Sequence, residues 1–145
     1  MQIEDMPIGM LISRAARSHM EKIQRSLESY GVQKTQGPIL RELSIKEGKT
    51  QAELAESMRI TAPSMSVNLQ KMETDGFLLR KTDEADMRQI RLYLTDKGKE
   101  TAVKAGREIE LTDKELVKSL NSSEKKELRR ILIKIILSQS KDRQK

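Results

Sequence analysis

Thr61, Ser64, Ser66 and Asn68 lie close together in the first half of a single stretch, RITAPSMSVNLQKMETDG, and an acid–base pair, Asp86-Met87-Arg88, follows further along the chain. Such groups donate and accept hydrogen bonds without breaking bonds, so their chemistry is recognition of phosphates and polar edges. Bond-making chemistry lacks its parts. There is a single histidine, His19, and no cysteine, so no metal site, thiol chemistry or disulfide is expected. No glycine-rich phosphate loop accompanies the serines and aspartates, so no enzyme and no cofactor are expected. Around the hydroxyls the pattern is helical. Met65, Leu69 and Met72 recur at i, i+4, i+7, while Ala62, Pro63, Ser64, Ser66 and Val67 make a small, uncharged opposite face that meets its first charge at Lys71. In a chain with 34% charged residues, an outer face this bland is suited to close approach by a partner.

The elements that must position this helix can be read on either side of it. Ile8, Leu11, Ile12, Ala15, Ala16, Ile23 and Leu27, with His19 among them, mark one face of a long amphipathic helix from about Met6 to Ser29, ended by Tyr30-Gly31. A second helix is expected over 34–46, with Pro38 near its first turn. Thr50-Gln51-Ala52-Glu53 fits a capping box and starts a short helix to about Met58. Thr61 is the expected N-cap of the hydroxyl-bearing helix, with Pro63 in its first turn and Asp75-Gly76 at its end. The period then changes to alternation over 77–82 and 89–94, with a polar connection between, the pattern of a β-hairpin. Thr95 caps a helix over 97–120, interrupted weakly by Gly98 and Gly106, and Asn121-Ser122-Ser123 opens a last, nearly all-apolar helix. The fold class is mainly α with a small β-hairpin wing.

Composition narrows the partners. With 36% hydrophobic and 2% aromatic residues, the core of one chain is thin, which favours oligomerisation. The terminal helix, with Leu128, Ile131, Leu132, Ile133, Ile135, Ile136 and Leu137, reads as half of a dimer core shared with the first helix. The net charge of +6 is concentrated at the end of the chain, where residues 118–145 carry nine bases and three acids. Lys125, Lys126, Arg129, Arg130 and Lys134 there read as a solvated stripe opposite the dimer face, so a nucleic-acid reading has to rest on motifs rather than on pI. No apolar run nears 18 residues and the first residues are acidic, so neither a membrane span nor a signal peptide is expected, and the protein is placed in the cytoplasm.

A helix, a capped short helix, a tight turn, a second helix and a hairpin form the order of a winged helix-turn-helix, in which the second short helix enters the DNA major groove. Leu54, Ala55, Met58, Ile60, Met65 and Leu69 are the residues expected to pack its two helices together. At this point the residues resemble the MarR (multiple antibiotic resistance regulator) family of transcription factors. The resemblance rests on Met65-Ser66, on Met72-Glu73-Thr74-Asp75-Gly76-Phe77-Leu78, and on the wing Asp83-x-x-Asp86-x-Arg88 followed by Leu94-Thr95-x-x-Gly98. It covers residues 35–100; the flanking helices agree in length and character rather than in motif.

The resemblance implies a winged helix-turn-helix DNA-binding domain at 35–99 and a helical dimerisation region made of 1–34 and 100–145. It implies a two-fold homodimer on palindromic double-stranded DNA, acting as a repressor released by a small, often anionic aromatic ligand. The DNA-binding residues would be Thr61, Ala62, Pro63, Ser64, Ser66, Val67, Asn68 and Lys71 on the helix, with Arg88 entering the minor groove braced by Asp86. The ligand crevice would lie near Leu11, Ala15 and His19. One position departs from the pattern: the family commonly has an arginine at Val67, and valine offers at most contact with a thymine methyl. Other readings remain beside these. Asp86 and Arg88 also suit a plain surface ion pair, Asn68 a solvated side chain and His19 a packed core residue. The eight methionines suit core filler or a pliable pocket. The rival to DNA binding is a winged helix used for protein contacts alone, which should show large apolar anchors that this helix lacks.

Overall fold

A computed structural model of the chain describes residues 2–142. After a short 3-10 turn at Ile3–Asp5, helix α1 runs Ile8–Glu28 and α2 Gln36–Ile45. Strand β1 (Lys49–Thr50) leads into α3 (Gln51–Met58) and α4 (Ala62–Thr74). Strands β2 (Leu78–Thr82) and β3 (Ile90–Leu94) form the hairpin, and α5 (Asp96–Leu116) and α6 (Ser122–Asp142) complete the chain. It forms two compact units that divide after Glu110.

In the first unit the core is where the sequence periodicity places it. Ile39, Leu40 and Leu43 of α2, Leu54 of α3, and Met65, Leu69 and Met72 of α4 are fully buried, joined by Phe77, Leu92 and Leu94. Met58 and Ile60 pack on its margin. Only Ile23 and Leu27 of α1 join this core, whereas Ile8, Met10, Leu11, Ile12 and Met20 are exposed. In the second unit Leu111, Leu116, Leu128, Ile131, Ile133, Ile136 and Leu137 are exposed as well. Asn121 and Glu124 cap α6 reciprocally, each side chain accepting the other's backbone N–H at 2.9 Å. Among the described residues no helix is long and apolar enough to cross a membrane.

The wing has a third strand that alternation does not announce. The sheet order is β1-β3-β2, antiparallel throughout, with Lys49 opposite Leu92 and Leu78 opposite Leu94. Two residues are too few to carry a period, but Thr50 serves both the strand and the cap of α3. Helix α5 ends at Leu116, four residues before the expected Leu120, and turns through 117–119.

Gly98 is not a weak point in α5, as its helical position suggests, but a contact. A Cβ there would lie 2.1 Å from the Phe77 carbonyl oxygen. Around it, the Thr95 N–H donates to that same carbonyl at 3.0 Å, the Thr95 hydroxyl donates to the Gly76 carbonyl at 2.5 Å, and the Gly98 N–H donates to the hydroxyl at 3.0 Å. Thr95 and Gly98 thus fasten the start of α5 to the end of the α4–β2 junction, which gives their spacing a physical cause. Gly98→Ala should therefore destabilise the protein by about 1–3 kcal/mol in urea unfolding at fixed protein concentration, although alanine ordinarily favours a helix by up to about 1 kcal/mol. A stabilised variant would contradict this account of the junction.

Candidate nucleic-acid interface

The orientation of α4 follows from its buried side. With Met65, Leu69 and Met72 fully enclosed, the intervening Ala62, Pro63, Ser64, Ser66 and Val67 are forced outward, and all five are exposed. Ala55 of α3 is nearly buried, and its small side chain lets α3 and α4 cross closely. Upstream, the capping box is complete: Thr50 accepts the Glu53 N–H at 3.2 Å and Glu53 accepts the Thr50 N–H at 2.9 Å.

The first turn of α4 is organised by Thr61. Its extended backbone begins the helix, its hydroxyl oxygen accepts the Ser64 N–H at 3.4 Å, and its proton goes to the Ser64 hydroxyl at 3.0 Å. Pro63 has no N–H to satisfy. The polar groups turned outward at this end are therefore mainly side-chain hydroxyls, with Ser66 one turn further along. Asn68 is half-buried beside them. Lys71 is exposed but engaged, its ammonium donating to the Gln33 side-chain oxygen at 2.7 Å.

On the wing, Arg88 is held in place yet fully presented. Its Nε and Nη2 donate to the two Asp86 carboxylate oxygens at 3.0 and 3.3 Å, and its backbone N–H adds a bond of 3.1 Å. The Arg88 side chain is nonetheless 90% exposed. These bonds, the guanidinium first and the backbone N–H next, hold the Asp86 carboxyl below its ordinary pKa of 3.8. Beside the connecting loop of the wing, Arg91 Nε donates to Asp83 at 2.6 Å while Nη1 donates to the Gly48 carbonyl at 2.7 Å. Arg91 thereby joins the hairpin to the loop before β1, lowers the Asp83 pKa together with the Ala85 N–H, and has its own raised in return.

Sequence reasoning missed one buried polar clasp. Gln36 is fully buried, with its oxygen accepting the Gln33 N–H at 3.0 Å and its amide donating to Asp75 at 2.7 Å. Asp75 caps the C-terminal end of α4, and its carbonyl accepts the Lys97 ammonium at 2.6 Å, which also lies 4.8 Å from the Phe77 ring centre. The clasp binds the loop after α1, the end of α4 and the start of α5. The available signal was position: Gln36 continues the stripe of Ile39, Leu40 and Leu43, where a polar residue needs partners.

Leu11, Ala15 and His19 follow at four-residue spacing along α1. Leu11 and Ala15 are exposed, whereas His19 is half-buried, and its Nδ1 is enclosed without a hydrogen-bond partner. Among the described residues no cluster of side chains is arranged to hold a metal.

Comparison with known proteins gives a consistent set of relatives. The sequence profile of the MarR family matches residues 30–89. An HTH-type transcriptional repressor of Mycobacterium tuberculosis is 26% identical over 132 residues, spanning 91% of this chain and 95% of the relative. The crystal structure of a MarR transcriptional regulator from Methanosarcina mazei superposes with a TM-score of 0.81 at 27% identity, over 92% of this chain and 96% of that one. The S. aureus MepR–DNA complex has the same fold, with a TM-score of 0.81 at 23% identity, over 92% and 99% of the two chains.

Two outcomes follow from this geometry. Gln36→Ala leaves Asp75 and the Gln33 N–H without their buried partner, and should cost about 1–3 kcal/mol in urea unfolding; an unchanged midpoint would show that the clasp is dispensable. Asp83 and Asp86 have folded pKa values below the unfolded value, so their contribution is present above about pH 4 and lost as the pH falls through the folded values. Carboxyl carbon shifts should therefore titrate with midpoints under 3.8. Midpoints at or above that value would contradict the bracing of the wing.

Proposed function

This chain belongs to the MarR family, and from that premise we propose that it is a sequence-specific, double-stranded DNA-binding repressor released by a small-molecule ligand. The observation that carries the reading is the pairing of two exposed surfaces on one compact unit. One is the small hydroxyl face of α4, kept outward by the burial of its other side; the other is Arg88, braced by Asp86 on the wing. Residues 35–99 act as the DNA-reading domain. Residues 1–34 and 100–145 form the two-fold dimer, a role supported by the exposed apolar residues of α1 and α6, which a single chain leaves in water. Regulation rather than catalysis is its work, carried out in the cytoplasm where the DNA is.

In this reading α4 enters the major groove with Thr61, Ala62, Pro63, Ser64, Ser66, Val67 and Asn68, and small side chains let its first turn sit deep. Lys71 approaches a phosphate with the N–H groups that Gln33 does not occupy. Arg88 enters the adjacent minor groove, where A·T-rich sequence narrows the groove and deepens its negative potential. Val67 cannot donate to guanine, so discrimination leans on Arg88 and the serine hydroxyls. The effector is a small, often anionic aromatic compound bound beside Leu11, Ala15 and His19, a placement supported by the unpartnered His19 Nδ1.

Binding to a palindromic duplex selected from a random pool should be tight and should weaken steeply with salt. Arg88→Ala should lose roughly tenfold in discrimination between selected and scrambled duplexes, more than Val67→Ala. The reverse order, or salt-insensitive binding, would sink the proposal.

A further inference from the structure

Helix α3 ends on a residue whose conformation and chemistry pull apart. Arg59 takes φ 54° and ψ 43° at the C-cap, in the left-handed region. Among the described residues, the other positive-φ positions, Gly31, Gly48 and Gly76, are all glycine. Glycine adopts this conformation freely, whereas a Cβ crowds the following carbonyl. The Arg59 side chain returns nothing to the fold in compensation. It is exposed, and it makes no ion pair or side-chain hydrogen bond among the described residues. Arg80, Arg88 and Arg91, by contrast, are each held by a carboxylate, from Glu73, Asp86 and Asp83.

Residues 35–99 hold eleven bases and ten acids, and Lys49 and Lys99 are also paired, with Glu42 and Glu47. Among the described residues, Arg41 of α2 and Lys46 at its C-cap are exposed and unpaired too, but Arg59 is the unpaired base that stands at the turn leading into α4. Arg59 stands two residues before Thr61, the cap from which α4 begins. We infer that Arg59 is a DNA phosphate contact, anchoring the turn between α3 and α4 while α4 lies in the groove. The inference rests on the DNA-binding reading above and extends it to a residue outside the recognition helix and the wing. A guanidinium suits the task, because its planar donors match two phosphate oxygens at once. Such a contact carries no sequence information; it fixes the depth and register of the helix beside it.

The test uses the full chain, the palindromic duplex selected from a random pool, and a scrambled duplex of the same composition. Fluorescence anisotropy would follow binding from 50 to 200 mM salt for the wild type, Arg59→Gly and Arg59→Lys. Arg59→Gly relieves the left-handed strain, so it should fold at least as well as the wild type, and a thermal melt checks this. It should weaken binding to both duplexes by a similar factor, roughly threefold to tenfold, and lower the salt slope by about 0.9 for each phosphate that is no longer neutralised. Arg59→Lys keeps the charge and should retain the slope. Unchanged affinity and slope in Arg59→Gly would overturn the inference, as would a loss confined to the selected duplex or an equal loss of slope in Arg59→Lys. A wild-type chain that bound no duplex would instead remove the DNA-binding reading, and this inference with it.

Discussion

Burial of Met65, Leu69 and Met72 is the constraint on which the rest of the interface depends. These three side chains are wholly withdrawn from water among Leu40, Leu43, Leu54 and Phe77, and a helix with one side so enclosed has no rotational freedom. Its other side, from Ala62 to Val67, is therefore presented at a fixed angle. A slip of one position would bring Ser66 into the core without a partner and expose Met65, a double penalty from the lost apolar burial and the unsatisfied hydroxyl. The close crossing of α3, made possible by Ala55, supports the helix from behind.

What the packing fixes in angle, polar contacts fix in position. Thr61 holds the first turn of α4 and the Gln36–Asp75 clasp holds its last. Thr95 and Gly98 fasten the following junction to α5, and Arg91 ties the wing to the loop before β1. Arg88 is then set on a hairpin that Arg91 anchors beside the connecting loop, while the Arg88 side chain reaches into solvent. The parts that face outward are thus held by groups that face inward, a division that lets the surface residues be chosen for a partner rather than for stability. The same division isolates Arg59, whose backbone is strained and whose charge no neighbour answers.

Much of this was legible in the sequence because the signals were local. The capping box at Thr50 and Glu53, the cap at Thr61, the alternation that marks the hairpin and the stripe on α4 each lie within a few residues, and each is where periodicity and turn chemistry put it. The missed features join residues far apart. Gln36 finds Asp75 thirty-nine positions away, and Arg91 finds the Gly48 carbonyl forty-three away; no pattern within a helix or strand encodes such pairs. Strand β1 is too short to show a period, and Gly98 looked like a flaw in α5 until the Phe77 carbonyl was found against it. Motif spacing registered Thr95 and Gly98 without their cause, which lies in a close approach between segments.

The central claim is that α4 reads a major groove while Arg88 occupies the neighbouring minor groove. Dimethyl sulfate protection on a selected duplex separates the two directly, since it reports guanine N7 in the major groove and adenine N3 in the minor groove. The account predicts N7 protection in two half-sites about one helical turn apart, each flanked by N3 protection that disappears in Arg88→Ala. Uniform reactivity in both grooves, with contacts limited to the phosphate backbone, would contradict it.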